Sequence, residues 1–187
     1  MTVAVDDVVS GDEDETIQFN PVLNDSDPNN EPVAVIGATD PAHGEVAWTS
    51  NGSFTYRPQR DWNGTDTFLY EISDGDLMAT GRVTVTIRPV NDGPVASIAN
   101  AAGDSGSVLT VDLGPYVSDV DGDPLTFLLE SPPNGAAKQV GPGVFEISLD
   151  GVIQDLPPLA YVVSDTSGER ATALLKISVA IPAEMVG

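Results

Sequence analysis

The chain has 187 residues, with 29 acidic and 7 basic side chains, one histidine and no cysteine, for a formal net charge of −22. Nucleic acids and anionic membrane surfaces carry charge of the same sign, so neither is expected as a partner. The lack of cysteine excludes disulfides and thiolate chemistry. No apolar run approaches the roughly 20 residues of a membrane-spanning helix, so membrane insertion is not expected.

An acidic pattern occurs twice, with a spacing of about 91 to 94 residues. The first copy is Leu-Asn-Asp-Ser-Asp-Pro at 23–28, and the second is Val-Ser-Asp-Val-Asp-Gly-Asp-Pro at 117–124. A repeat of this length indicates whole small domains in tandem, because solenoid repeats are shorter. We therefore predict one domain at 1–93 and a second, more divergent domain at 94–187, joined by a short linker at 90–94.

Short segments of alternating apolar and polar residues dominate both halves. Val83, Val85 and Ile87, for example, alternate with polar residues, which is typical of a strand with one buried face. The predicted strands lie near 3–9, 16–23, 32–38, 44–49, 53–58, 66–73 and 80–90, and then near 95–99, 107–113, 124–130, 136–140, 144–149, 158–164 and 171–181. Seven strands per domain predict an all-β fold of two cadherin-like or immunoglobulin-like Greek-key sandwiches stacked end to end.

The acidic residues fall in the predicted loops. Because successive strands run in opposite directions, alternate loops meet at the same end of a sandwich. One end of the first domain collects Asp6, Asp7, Asp25, Asp27, Asp74 and Asp76. The other end collects Glu13, Asp14, Glu15, Asp61 and Asp66, followed by Asn91 and Asp92 in the linker, and the second domain begins with Asp119, Asp121, Asp123 and Asp165. Calcium prefers such oxygen ligands, so these loops are candidate calcium sites.

Several segments resemble one family. They are Val-Leu-Asn-Asp-Ser-Asp at 22–27, Gly-Ser-Phe-Thr-Tyr-Arg-Pro at 52–58, Trp-Asn-Gly-Thr-Asp-Thr-Phe at 62–68, Ser-Asp-Gly at 73–75 and Val-Asn-Asp-Gly-Pro at 90–94. They are similar to the bacterial cadherin-like tandem repeats found in large secreted adhesins and in some secreted polysaccharide-degrading enzymes. The likeness covers nearly all of the first domain and is looser in the second.

The resemblance implies calcium ions held between successive sandwiches. Position by position, the implied ligands are Glu13, Glu15, Asn91, Asp92, Asp119, Asp121 and Asp165, with Asp123 beside them. At the start of the first domain, the grouping of loops by strand direction makes Asp6, Asp7, Asp25, Asp27 and Asp74 the candidate ligands, and one weak or partly filled ion is expected there. The junction is expected to be the principal calcium site. No ion is expected at the carboxyl end, where the available acids are Asp104, Asp150, Asp155 and Glu184 and no Asn-Asp linker follows.

Other residues are expected to have structural roles. His43 is the only histidine, so a zinc site is not expected. Trp48 and Trp62 are expected in the core, Tyr116 is expected to be an exposed ring, and Asp66 is expected to cap the turn before the strand at 66–73. No constellation for nucleophilic or acid–base catalysis is visible, so the chain is not expected to be an enzyme.

The sequence supports two hypotheses about function. The first is a calcium-rigidified extender or adhesion repeat of a secreted or bacterial cell-surface adhesin. The alternative is a carbohydrate-binding module of a secreted polysaccharide-degrading enzyme, which a row of exposed aromatic rings would favour. The expected partners are neighbouring repeats of a longer secreted chain and a cell-surface carbohydrate or protein, and the fragment itself is expected to be monomeric.

Overall fold

The computed structural model describes residues 2–29, 31–132 and 137–181. It shows two β-sandwich units. The units are Met1–Val90 and Asn91–Gly187. The described residues contain no α-helix, and their helical turns are two short 3-10 segments, Pro21–Asn24 and Gly114–Tyr116. The predicted all-β class is confirmed.

The first unit has seven described strands, as the alternation of apolar residues predicts. They are β1 (Asp7–Asp12), β2 (Ile17–Phe19), β3 (Ala34–Ala38), β4 (Gly44–Trp48), β5 (Phe54–Pro58), β6 (Gly64–Ser73) and β7 (Met78–Arg88). A four-stranded sheet has the order β1-β7-β6-β3, and a three-stranded sheet has the order β2-β5-β4. β1 runs parallel to β7, and the other pairs are antiparallel.

The core of the first unit combines side chains from both sheets. Phe54 and Tyr56 of β5 and Phe68, Tyr70 and Ile72 of β6 are all buried. The ring centroids of Phe54 and Phe68 lie 6.0 Å apart, and Tyr70 meets Phe54 edge-on at the same distance. Each large apolar side chain buried in this way stabilises the fold by about 1.5–3 kcal/mol relative to exposure.

Gly81 makes room for the Tyr70 ring. The two residues are partners in the β6–β7 ladder, and a β-carbon at position 81 would lie 2.5 Å from Cε1 and Cζ of Tyr70. Tyr70 is fully buried and its hydroxyl group is hydrogen-bonded, so the ring has no room to move aside. We expect Gly81→Ala to lower the free energy of unfolding of the first unit by about 1–3 kcal/mol, the usual cost of overpacking.

Urea unfolding followed by tryptophan fluorescence measures this effect, because both tryptophans, Trp48 and Trp62, belong to the first unit. Gly37→Ala is the matched control, since a β-carbon there would lie 3.4 Å from its nearest neighbour, the carboxylate of Glu71. Equal midpoints for the two variants would contradict the packing argument.

The second unit has nine described strands, two more than predicted, because its first predicted strand is divided and residues 117–118 form a short strand that was not predicted. They are β8 (Val95–Ala96), β9 (Ala99–Asp104), β10 (Val108–Asp112), β11 (Val117–Ser118), β12 (Thr126–Leu129), β13 (Ala137–Gly141), β14 (Val144–Ser148), β15 (Leu159–Ser164) and β16 (Arg170–Ala180). β8 pairs with β11, whereas β9 runs parallel to β16 in the sheet β12-β15-β16-β9. The third sheet has the order β10-β14-β13.

Two hydrogen bonds of Ser97 fix the backbone between β8 and β9. The backbone N–H of Ser97 donates to the carbonyl of Tyr116 at 2.9 Å, and the hydroxyl of Tyr161 donates to the carbonyl of Ser97. Tyr161 is fully buried in a core that it shares with residues such as Leu113, Ile147 and Leu175. The second sandwich thus closes around its own apolar cluster.

Two expectations about aromatic rings are wrong. Trp48 is 38% exposed, because it ends β4, an edge strand of the three-stranded sheet. Tyr116 is half-buried and packs against the core of the second unit. Trp62 does pack against the core of the first unit, and its ring also stacks on His43 with a centroid separation of 4.5 Å.

The expected role of Asp66 is also corrected. The residue lies in β6 and is buried, and its carboxylate accepts the backbone N–H groups of Ala42 at 3.1 Å and His43 at 2.7 Å. The Tyr56 hydroxyl donates to the same carboxylate at 3.0 Å. Asp66 therefore fixes the loop between β3 and β4, and not the turn that precedes its own strand.

Candidate metal centre

Three carboxylates converge in the first unit. One oxygen each from Asp27, Glu31 and Asp74 lies within 4.8 Å of the other two. Asp27 and Glu31 come from the segment between β2 and β3, which the Val3–Ser26 bridge ties to the amino-terminal segment, and Asp74 comes from the turn between β6 and β7. Glu31 was not among the residues expected from the sequence.

Hydrogen bonds hold Asp74 in its charged form. The N–H of Leu77, the hydroxyl of Thr2 and the N–H of Asp76 all donate to the Asp74 carboxylate, and together they lower its pKa to about 2. The Asp27 carboxylate is buried and accepts the N–H of Asn29 at 2.8 Å. Asp74 is therefore anionic, and both Asp74 and Asp27 are anchored by hydrogen bonds.

Asp7 and Asp25 form a separate pair around Tyr70. The Tyr70 hydroxyl lies 3.0 Å from both carboxylate oxygens of Asp25 and 3.2 Å from Oδ2 of Asp7. Burial raises the pKa of both carboxyl groups, and the hydrogen bonds that they accept oppose this shift. Asp6 lies apart from this pair, because its carboxylate accepts the backbone N–H of Arg82 at 3.0 Å.

A second acidic group of the first unit contains Glu13. Its carboxylate is buried and accepts the N–H of Val90 at 2.6 Å and the side-chain amide of Asn63 at 3.4 Å. Glu15 is exposed, and its charge helps to raise the pKa of Arg88. The structure thus anchors Glu13 and leaves Glu15 at the surface.

Asp14 and Asp61 were grouped at this end by the sequence but were not expected to be ligands. A carboxylate oxygen of Asp14 lies within 4.8 Å of one from Asp61, and Oδ1 of Asp14 accepts the N–H of Asp61 at 3.1 Å. Both residues have left-handed backbones, with φ of 60° and 54°. Only aspartate, asparagine and glycine adopt that conformation readily, which was the available sequence signal.

In the second unit, Asn91 and Asp165 are joined directly. The amide of Asn91 donates to Oδ2 of Asp165 at 3.0 Å, and Oδ1 of Asp165 accepts the N–H groups of Gly168 and Glu169. The bond from Asn91 is the main reason that the pKa of Asp165 is lowered, with Ser167 and the two N–H groups adding to it. Asp165 therefore orders the turn between β15 and β16.

The other expected ligands of the second unit are Asp92, Asp119, Asp121 and Asp123. The first contact involves Asp121. Its Oδ2 accepts the N–H of Asp92 at 2.7 Å, and the two carboxylates have oxygens within 4.8 Å of each other. Asp119 accepts the N–H of Asp123 through Oδ1 at 3.2 Å, and Asp123 accepts the hydroxyl of Thr166 at 2.9 Å. Oδ2 of Asp119 is buried, and no hydrogen-bond donor reaches it from residues 2–29, 31–132 or 137–181.

The carboxyl end of the second unit has a different arrangement. Asp155 accepts the N–H of Val179 at 2.7 Å and so ties the segment before β15 to β16. Glu184 lies outside the described residues, and the expectation that this end binds no ion stays a prediction.

The donor sets of both units consist of oxygen atoms alone. Hard cations such as calcium favour such ligands, whereas zinc favours histidine and cysteine. Within the described part of the chain, no helix is long and apolar enough to cross a membrane.

Two family models match the chain in tandem. The bacterial cadherin-like domain matches residues 1–89, and the bacterial Ig domain matches residues 91–178. The chain is also 38% identical over 78 residues to Protein GAMETE EXPRESSED 2 of Arabidopsis thaliana, a match that covers 41% of this chain and 8% of that protein. Integrin beta-like protein E of Dictyostelium discoideum is 32% identical over 131 residues, which are 62% of this chain and 6% of that protein.

Solved structures share the fold. A crystal structure of human Protocadherin-24 EC1-2 matches with a TM-score of 0.62 at 16% identity, covering 95% of both chains. The chain spans less than a tenth of the length of the curated relatives named above. Cadherin-like and Ig-like domains are typically non-catalytic and are of the extracellular adhesion or extender type. Residues 1–89 are therefore similar to the bacterial cadherin-like domains, and residues 91–178 are similar to the bacterial Ig domains.

Proposed function

We propose that this chain is a pair of extracellular extender or adhesion repeats that bind calcium through their acidic loops. The main observation in support of metal binding is Oδ2 of Asp119, a buried carboxylate oxygen without a hydrogen-bond donor among the described residues. Leaving a buried charged acceptor unsatisfied costs at least about 1–3 kcal/mol. A bound cation removes that cost, because the oxygen then becomes a ligand.

Other acidic residues of the same unit supply further oxygens. Asp121 and Asp92 have carboxylate oxygens close together, and Asp123 is tied to Asp119 through its backbone. Calcium takes six to eight oxygen ligands and keeps water where the protein offers fewer. A loop of several aspartates whose backbone is already hydrogen-bonded therefore suits calcium better than magnesium, which demands near-ideal octahedral geometry.

The group of Asp27, Glu31 and Asp74 supports a separate site in the first unit. Its three oxygens are close enough to share one ion, and Asp74 stays charged to low pH. Without a cation these carboxylates repel one another, and the whole chain carries a net charge of −22 that opposes compaction. Calcium would offset both effects. The sharing of ions between the two domains stays a prediction from the sequence.

An extender role follows from this proposal. Extracellular modules bind calcium with dissociation constants of about 0.1–1 mM, which suits a secreted or cell-surface protein. The partners would be neighbouring repeats of the same longer chain, and the fragment itself would be monomeric. The two domain families favour a longer adhesin on a bacterial surface as the protein that contains these repeats.

Calorimetric titration with calcium tests the proposal. We expect binding at millimolar ion or below, and we expect Asp119→Asn to weaken one site by tenfold or more, because it removes a charge from the ligand oxygen set. Asp150→Asn is the charge-matched control, since Asp150 is an exposed turn residue of the same unit. Heats that are indistinguishable among the wild type and both variants would refute calcium binding at Asp119.

A further inference from the structure

A polar cavity lies along β4 and β5 of the first unit. Its volume is about 460 Å³, and it is lined by Gly44, Glu45, Arg57, Pro58 and Gln59. That volume is within the usual range for small-molecule sites. None of the five residues belongs to the acidic groups described above, so the cavity has no part in the proposed calcium sites.

The lining combines donors with an acceptor. Arg57 supplies a guanidinium group, Gln59 an amide and Glu45 a carboxylate. Glu45 and Arg57 are directly opposite each other in the β4–β5 register, so their charges compensate. A cavity with this lining has little net charge but can both donate and accept several hydrogen bonds, which matches a neutral polyol better than an anion.

An aromatic pair is connected to the lining of this cavity through the backbone. His43 precedes Gly44, and its ring stacks on Trp62 with a centroid separation of 4.5 Å and an angle of 1° between the planes. His43 is exposed even though Trp62 covers one of its faces. The pair is linked to the lining through Gln59, whose N–H donates to the carbonyl of His43 and whose carbonyl accepts the N–H of Trp62.

The backbone around the cavity is fixed in place. Asp66 accepts the N–H groups of Ala42 and His43 from its buried position in β6. A β-carbon at Gly44 would lie 2.6 Å from the Tyr56 ring and 2.7 Å from the carbonyl of Arg57, so only glycine allows this close approach. A site built on rigid elements loses less entropy when it binds a ligand.

We infer that this surface binds a neutral saccharide. Vicinal hydroxyl groups of a sugar would accept hydrogen bonds from Arg57 and Gln59 and donate to Glu45, while the apolar face of the sugar ring would pack against the His43–Trp62 pair. This ligand goes beyond the extender role, which requires no sugar. The aromatic pair is formed by the tertiary fold, since His43 and Trp62 are 19 positions apart.

Affinity electrophoresis of the full chain in gels containing xylan, laminarin or dextran tests the inference. We expect at least one of these neutral polysaccharides to retard the wild type. Arg57→Ala should weaken the retardation by about tenfold, because a hydrogen bond to a charged group is worth roughly that much. His43→Ala should also weaken it, because it removes the exposed ring face on which the sugar packs. Arg82→Ala and Trp48→Ala are the matched controls, since they remove an exposed arginine and an exposed tryptophan of the same unit.

The gels are run with calcium and with chelator. Retardation that persists in chelator supports saccharide binding at the cavity, whatever the outcome for the calcium sites. Retardation by none of the three polysaccharides would overturn the inference. It would also be overturned if the control variants lost retardation as fully as Arg57→Ala, or if chelator alone abolished it, since the sugar would then be held elsewhere.

Discussion

Replacing Asp66 with alanine is expected to lower the free energy of unfolding of the first unit by about 3–5 kcal/mol. The substitution leaves the N–H groups of Ala42 and His43 and the hydroxyl of Tyr56 without their acceptor. Each hydrogen bond to a charged group contributes about 1.5–3 kcal/mol, and partial access of water reduces the sum. Few single substitutions in a domain of this size cost as much.

Urea unfolding followed by tryptophan fluorescence measures this loss. Asp40→Ala is the control, because Asp40 is an exposed acidic residue of the loop between β3 and β4. Asp66→Asn should fall between the two, since its amide keeps one acceptor oxygen and loses the charge. If Asp66→Ala unfolds at the same urea concentration as Asp40→Ala, Asp66 does not anchor the loop between β3 and β4.

The effect of Asp66 depends on pH in a defined direction. Burial raises the pKa of Asp66, but the N–H groups of His43, Ala42 and Thr67 and the hydroxyl of Tyr56 outweigh it, so the net pKa is lowered. An unfolded aspartate has a pKa of about 3.9. The stabilisation from Asp66 is therefore complete above that value and is lost as pH falls through the folded pKa. The difference in stability between wild type and Asp66→Asn should shrink below about pH 4.

Removal of calcium is expected to have the second large effect. An ion that binds only the folded state stabilises it by about 2.7 kcal/mol per site when its free concentration is 100 times the dissociation constant. For a domain of this size, we expect the melting temperature to fall by about 10–20 °C in chelator. Total domain stability is only about 5–15 kcal/mol, so one site is a substantial share.

Asp119→Asn is expected to change the melting temperature in different directions with calcium and with chelator. In calcium the variant should melt below the wild type, because it has lost a charged ligand. In chelator it should melt at the same temperature or above, because a buried carboxylate oxygen without a donor has been neutralised. Melting curves in high sodium chloride separate ion binding from charge screening. A midpoint that calcium does not raise, or that sodium chloride raises equally, would contradict specific binding.

The sequence predicted the strands of this protein well, for a physical reason. A residue in a strand alternates between the two faces, so burial of one face imposes a period of two on Phe68, Tyr70 and Ile72 wherever the strand lies in the fold. Asn51 and Gly52 likewise mark the tight turn between β4 and β5, since Gly52 has a φ of 88° that other residues rarely adopt. These signals are local and need no knowledge of the partner strands.

Local sequence patterns also located the acidic residues, but they could not predict which carboxylates lie close together in the fold. Loops are polar and exposed, so their carboxylates are visible in the sequence as clusters. The sequence placed Asp25 and Asp27 together, but in the fold Asp25 contacts Tyr70 while Asp27 joins Glu31 and Asp74. Both residues lie in a loop outside the named strands, where the alternation of a regular strand does not fix side-chain directions, so their partners are set by the distant segments that pack nearby.

Contacts between distant segments decided the rest. Asp66 was expected to serve its own turn, yet the strand register brings it to N–H groups 23 and 24 positions earlier. Trp48 has the apolar alternation of a core residue, but it ends an edge strand, where no neighbour covers it. The sequence by itself determined the all-β class, the two domains' acidic loops and the oxygen chemistry, because each depends on residue type and spacing. The tertiary structure alone decided which carboxylates share a site, because that depends on which strands become neighbours.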